Sequence, residues 1–195
     1  MKTLLKLTGL FLLFFVGCTS NQEIEELNAP ALTKLQNQVV MQAQQPKTVT
    51  VPMKVDFYCT PDETLPYVEC TPSEAGIFLK GGGVVNGNAT HVGLVNSEKS
   101  PWLMTGCSFN PMSYQLTSYV AGKITAANGD YFFYTGQIVT QLPDYTLTGE
   151  IIMNDGTGKF KGVTGSVLIE GGVDMTTGVL SWRGEGTVTF VVGKE

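Results

Sequence analysis

Histidine is the scarcest reactive residue in this 195-residue chain, with His91 standing alone. A Ser-His-Asp triad would have to use it, and no Gly-x-Ser-x-Gly turn is present to expose a nucleophile, so hydrolysis by that route is excluded. Cys59, Cys70 and Cys107 with a single His lack the short ligand spacing of a tetrahedral zinc site, and no metal is expected. Positive charge is also short: 12 Lys and Arg face 17 Asp and Glu, a net charge of −5, which leaves no basic surface for nucleic acid. The segment Gly156-Thr157-Gly158-Lys159 misses both the first Gly and the closing Ser or Thr of a phosphate-binding loop, so no cofactor is expected. An EF-hand ladder is missing as well, and Asn154-Asp155-Gly156 reads as a turn. Charged residues are only 15% of the chain and apolar ones 43%, which places it outside the disordered regime and supplies a substantial core. Gly reaches 23, but without a Gly-X-Y period and with only 9 Pro the chain is not collagen-like.

What is present begins with the amino end. Lys2 and Lys6 precede an apolar stretch, Leu7 to Val16, of about ten residues, far short of the ~20 that span a bilayer, so the segment reads as a cleavable export signal. It closes in Phe15-Val16-Gly17-Cys18, which resembles a bacterial lipobox, a small residue before a Cys that receives diacylglycerol and becomes the new amino terminus. The resemblance implies a signal peptide over residues 1–17, lipid attachment at Cys18 and a place in the bacterial cell envelope. Acyl chains at roughly 0.8 kcal/mol per buried methylene would then hold the protein to a membrane without a spanning helix. Cleavage leaves 178 residues and, with Lys2 and Lys6 gone, a net charge of −7. Residues 18–47 are rich in Gln and Asn, contain no Gly and read as a polar tether, with one short amphipathic helix starting near Asn28 and Pro30 as the alternative. The acidic cluster Glu23-Ile24-Glu25-Glu26 resembles signals that send some lipoproteins to the outer face of the outer membrane, and a solvated spacer accounts for it equally well.

Residues 48–195 form the folded domain, where the remaining 21 Gly all fall at or after Gly76. Val49, Val51, Met53, Val55 and Phe57 alternate with polar residues at period two, a strand with one buried face. Ser113 to Ala127 and Tyr131 to Gln141 meet across Asn128-Gly129-Asp130, where Asn-Gly supplies the positive φ angles of a hairpin. Further runs, Ile77 to Leu79, Val84 to Val95, Leu103 to Phe109, Tyr145 to Met153, Gly165 to Gly172 and Val179 to Val192, bring the count to about eight or nine strands. No helical stripe follows residue 47, so parallel crossovers are excluded and an all-β antiparallel architecture remains. Long strands on an exported surface favour a closed barrel over a sandwich with open edges.

Parity on the last run puts Leu180, Trp182, Val188, Phe190 and Val192 on the inner face. Trp182 and Phe190, with His91 in Thr90-His91-Val92-Gly93 at a strand entrance, are the candidate ligand-binding residues. Trp102, after Ser100-Pro101, is expected on a loop. Glu150 and Glu185 sit at outward positions, which argues against a carboxylate pair of the glycosidase type, and no catalytic residue is assigned. The three downstream Cys give one disulfide and one free thiol in an oxidising compartment: Cys59 with Cys70 would close a Pro-rich excursion, and Cys70 with Cys107 is the alternative.

The stretch Asn154-Asp155-Gly156-Thr157-Gly158-Lys159-Phe160-Lys161-Gly162-Val163-Thr164-Gly165 resembles the Gly-Gly-Thr-Gly-x-Phe-x-x-Ala-x-Gly segment of dirigent proteins and the matching Gly-rich stretch of allene oxide cyclases. Thr125-Ala126-Ala127-Asn128-Gly129-Asp130 and Thr90-His91-Val92-Gly93 are similar to motifs of bacterial lipoproteins in the same superfamily. The resemblance implies an eight-stranded antiparallel barrel in which Phe160 plugs one end. Asp155 stands where the motif has its first Gly, and no catalytic residue of either family falls on a matched position. Fold is therefore carried over and activity is not. Three functions are compatible: a membrane-tethered barrel that binds a small apolar or amphiphilic ligand, a structural or interaction protein with a filled barrel, and a cyclase or isomerase acting through shape and hydrogen bonds.

Overall fold

The period-two pattern of residues 49–57 becomes strand β1, Lys47–Pro61, with Met53, Val55, Phe57 and Cys59 buried and the residues between them exposed. The computed structural model describes residues 46–193. Cys18, the signal over 1–17 and nearly all of the tether therefore lie outside the described residues. The strands that follow are β2 (Val68–Glu69), β3 (Phe78–Leu79), β4 (Gly82–Ala89), β5 (Gly93–Leu94) and β6 (Pro101–Asn110), then β7 (Gln115–Thr125), β8 (Tyr131–Gln141), β9 (Thr146–Gly156), β10 (Thr164–Asp174) and β11 (Val179–Val192).

All pairings between these strands are antiparallel, in the order β1-β11-β10-β9-β8-β7-β6-β4, and β4 returns to β1 from Val55↔Ala89 to Pro61↔Gly83. That last pairing closes an eight-stranded antiparallel barrel. Closure gives the backbone groups of β1 and β4 partners that an open sheet would leave at its edges. β5 lies beside the end of β4, and β2 with β3 forms a separate two-stranded ribbon. Among the described residues no helix is long and apolar enough to cross a membrane.

The expected hairpin is β7 with β8, turned by residues 126–130. Gly129 takes φ 91°, and the Asn128 side chain bonds Asp130 through both its amide groups. Two expectations need correction. The run Val84 to Val95 is not one strand: His91 takes φ 66°, and the Val92 N–H donates to Ala89 O, so the chain turns at Thr90 and doubles back as β5. Trp102 is not on a loop but is the second residue of β6 and 4% exposed. Pro101 is the first residue of the strand, a position where its missing N–H is tolerated.

The two ends of the barrel are built differently. At one end the Gly158–Phe160 turn carries Phe160 into the interior, 1% exposed, with ring centroids 5.2 Å from Phe132 and 6.1 Å from Phe190. Asp155, where the motif has Gly, takes φ 29°, and its carboxylate accepts from the Gly162 N–H at 2.7 Å, which folds the crossing loop shut. The void beside Phe160, Phe190 and His91 has no measurable volume, and the one at mid-barrel, among Phe57, Ile124, Met153 and Trp182, is about 20 Å³. An eight-stranded barrel is just wide enough for its own side chains, and this half is filled by them.

Candidate functional site

Toward the other end the apolar layers stop short. A chamber of about 40 Å³ is lined by Cys59, Trp102, Ser118, Tyr134, Thr140 and Trp182, among others. Above it lies a mouth of about 450 Å³ that shares Trp102, Met104, Ser118, Thr140 and Leu180 as walls. The volume falls within the range of small-molecule sites. Met104, Leu116, Val173 and Leu180 make its sides apolar, and Tyr67, Phe78 and Met175 stand exposed on its rim.

The rim is assembled by the excursion 62–81 and the hairpin turns. β4 covers β6 only from Pro101 to Leu103, and the edge that β6 leaves beyond is taken by Thr71. Its N–H donates to Cys107 O at 3.0 Å, and its carbonyl accepts from the Phe109 N–H at 2.7 Å. That contact brings Cys70 beside Cys107, and the two form the disulfide with a Cα separation of 4.6 Å. The Cys59–Cys70 alternative does not form, because the alternation of β1 aims Cys59 into the barrel, where it is the free, buried thiol. A bulge between Met104 and Gly106 shifts the register at this point of β6, so Met104 lines the mouth while Cys107 packs with Cys70 and Leu116.

Two turns of the mouth are stiffened by carboxylates. Asp62 accepts from the Thr64 hydroxyl at 2.7 Å and the Thr64 N–H at 2.9 Å, and Asp174 accepts from the Thr176 N–H at 2.8 Å and the Thr177 hydroxyl at 2.9 Å. These bonds hold both carboxyls below the usual range. Lys80 pairs with Glu63 and lies 4.6 Å from the Tyr67 ring centroid, and the bond to Glu63 raises the ammonium above its ordinary value.

Inside, the groups are neutral. Burial pushes the Cys59 thiol up to about 11, partly offset by a hydrogen bond with Trp182, and burial raises the Tyr134 phenol well above its usual value with a smaller contribution from Cys59. Gly122 makes room for that phenol: a Cβ there would stand 2.6 Å from Tyr134 Oη and 2.7 Å from Pro101 O. The Trp102 Nε1 is, among the described residues, the one side-chain nitrogen or oxygen that is itself cut off from solvent and has no partner. The chamber lining thus combines the indole of Trp102 and the hydroxyl residues Ser118 and Thr140 with an apolar, uncharged wall, a setting for holding an uncharged molecule by shape and a few hydrogen bonds.

The residues singled out from the sequence do not share a site. Trp182 is buried, packed edge-on against Phe57 at 5.0 Å, and lies at the floor of the chamber. His91 and Phe190 face each other at the filled end, with centroids 5.7 Å apart. His91 is exposed, with its Nε2 3.1 Å from Pro52 O, and its carbonyl accepts from Lys159 at 2.7 Å. Glu150, Glu170 and Glu185 are exposed on the outside, Glu185 paired with Lys54 at 2.7 Å. Among the described residues no group of three His, Cys, Asp or Glu is placed to hold a metal ion. Sequence reasoning missed Trp102, Ser118, Tyr134 and Thr140. A usable signal was present for two: Ser118 falls between Leu116 and Val120, and Thr140 follows Ile138, polar residues at apolar parity.

Fold and site together define a β-barrel cup, plugged at one end and open at the other. No protein-family model matches the chain, and no curated protein matches it. Among solved structures the barrel is similar to that of the pterocarpan synthase dirigent protein GePTS1, at 14% identity and a TM-score of 0.40 over 78% of this chain and 90% of that one. At that distance nothing about activity follows, and the barrel is defined by its own strand pairings.

Proposed function

We propose that the protein is a bacterial envelope lipoprotein, anchored through Cys18 in the outer membrane, whose barrel binds a small apolar or amphiphilic ligand in its mouth. One observation carries the ligand reading: the interior is packed to the exclusion of water around Phe160 and then opens into a walled, apolar space of about 450 Å³. An exported barrel that needed only rigidity would gain stability by filling that space, since each buried methylene contributes about 0.8 kcal/mol. The anchor rests on the Lys-flanked apolar stretch that ends in Val16-Gly17-Cys18. The described chain enters the barrel at Lys47, paired with Val192 at the plugged end, opposite the mouth.

Two measurements test the two halves of the proposal. Labelled fatty acid is expected to be incorporated at Cys18, and Cys18→Ser is expected to leave the membrane fraction; no label together with retained membrane association rejects the anchor. Mass spectrometry of the protein from its own envelope, under conditions that keep it folded, is expected to show a bound small molecule released on unfolding. The filled half supports one competing reading, a structural protein whose rim touches another envelope component. A partner protein co-purifying with an empty barrel would favour it.

A further inference from the structure

Buried indole N–H groups nearly always find an acceptor, because a donor cut off from water and left unpaired destabilises the fold. Trp102 is 4% exposed, its Nε1 has no partner, and it forms a wall of both the chamber and the mouth. Ser118 and Thr140, 6% and 7% exposed, share those two walls, and no hydrogen bond to another described residue is seen at either hydroxyl. Three polar side chains at inward positions of β6, β7 and β8 are thus gathered where the core stops, and their hydrogen-bonding capacity is unused. Resting on the ligand-binding reading above, we propose that the mouth takes an uncharged amphiphile, its carbonyl, ester or ether oxygen accepting from the Trp102 indole N–H beside Ser118 and Thr140.

The chemistry follows from the lining. An indole N–H only donates, so its complement is an acceptor, and the two hydroxyls adapt to either role. No Lys, Arg, Asp or Glu lines the chamber, and an ionised head group there would lose its hydration without a partner. The charged pair at the site, Lys80 with Glu63, stands at the rim and is already matched. The remainder of the ligand meets Met104, Leu116, Val173 and Leu180, which is a surface for hydrocarbon. The acceptor therefore enters first and the apolar body fills the mouth behind it. Because 40 Å³ also has room for a water molecule, the experiment must separate a ligand acceptor from an ordered water.

The test uses the full chain carrying Cys18→Ser, which keeps acyl chains out of the sample, with ¹⁵N-labelled Trp. Its two indole resonances are assigned with Trp182→Phe. Three probes of matched shape are titrated: 2-acetylnaphthalene, which carries the acceptor, 2-ethylnaphthalene, which lacks it, and 2-naphthoate, which adds charge. The expected result is a saturable downfield shift of the Trp102 indole proton with the ketone only, binding about tenfold tighter than the hydrocarbon, as one hydrogen bond to a buried donor supplies. The carboxylate should bind more weakly than the ketone. In Trp102→Phe the ketone's advantage should disappear while the hydrocarbon still binds. Equal binding of ketone and hydrocarbon with an unmoved Trp102 resonance overturns the acceptor proposal and leaves ligand binding standing. An indole proton that exchanges with a bound water the ketone does not displace overturns it too. Failure of both neutral probes to bind removes the ligand-binding reading itself. The wild-type indole shift decides the matter even if Trp102→Phe does not fold.

Discussion

The plugged end and the open end of this barrel are made from the same eight strands, yet one is packed without measurable space and the other holds about 450 Å³. The difference lies in what closes each end. At the plugged end a Gly-rich crossing carries an aromatic ring inward, beside Phe132, Met153, Val188 and Phe190. At the open end the connections are hairpin turns and a disulfide-bound excursion that lie around the rim rather than across it. Stability and binding are thereby separated along the barrel axis, and changes at one end should not mimic changes at the other.

The largest contrast should appear in side-chain deletions. Phe160→Ala is expected to lower unfolding free energy by about 4 kcal/mol, as for other fully buried aromatic truncations, whereas Leu180→Ala, half-buried at the mouth, should lower it by less than about 2 kcal/mol. Denaturant titration measures both, and equal losses would show that the mouth is as much a part of the core as the plug. The next effect belongs to the rim. Replacing Cys70 and Cys107 together with Ser frees a loop of sequence separation 37 and is expected to cost about 3 kcal/mol. Limited proteolysis of that variant should begin within residues 62–81, and a cut at the plugged end instead would reverse the assignment of the weaker region.

A comparable loss should be reached through pH. The Cys59 thiol is raised from 9.0 to about 11 in the fold, so the folded state holds its proton more tightly than the unfolded chain does. The stabilisation is complete below pH 9 and is lost as pH rises through 11, by up to about 3 kcal/mol, and Tyr134 acts in the same direction. Cys59→Ala should flatten the fall in stability between pH 9 and 11; an unchanged slope would mean that the thiol titrates freely and that the chamber is wet. The smallest effect is optical. Both indoles are buried, so Trp182→Phe and Trp102→Phe variants should each emit to the blue of a solvated Trp. A ligand in the mouth should quench Trp102 more than Trp182, which lies deeper, and the reverse order would move the site toward mid-barrel.

Much of the barrel was readable because strand alternation is a local property. Met53 to Phe57 and Leu180 to Phe190 repeat at the pleat's own period, so the inner face there follows from the amino acids alone, whereas Val49 and Val192, expected on the same faces, are exposed at the strand ends. The same reasoning placed Glu150 and Glu185 outside. Where local signals were read without their partners, they misled. Ser100-Pro101 looked like a loop because Pro usually interrupts strands, yet here it opens one against Val84, and Trp102 became a wall of the candidate site. Residues 90–93 looked continuous with their neighbours until the turn at His91 divided them.

The order of amino acids by itself determined the strand periods and the Asn-Gly hairpin, which depend on neighbours along the chain, and the composition alone set the net negative charge. Tertiary structure alone decided which Cys joined Cys107, that β4 closes on β1, and that Trp102, Ser118 and Thr140 surround one space. Those are meetings of residues far apart in sequence, set by barrel register and by what the plug leaves unfilled, and no window of local sequence contains them.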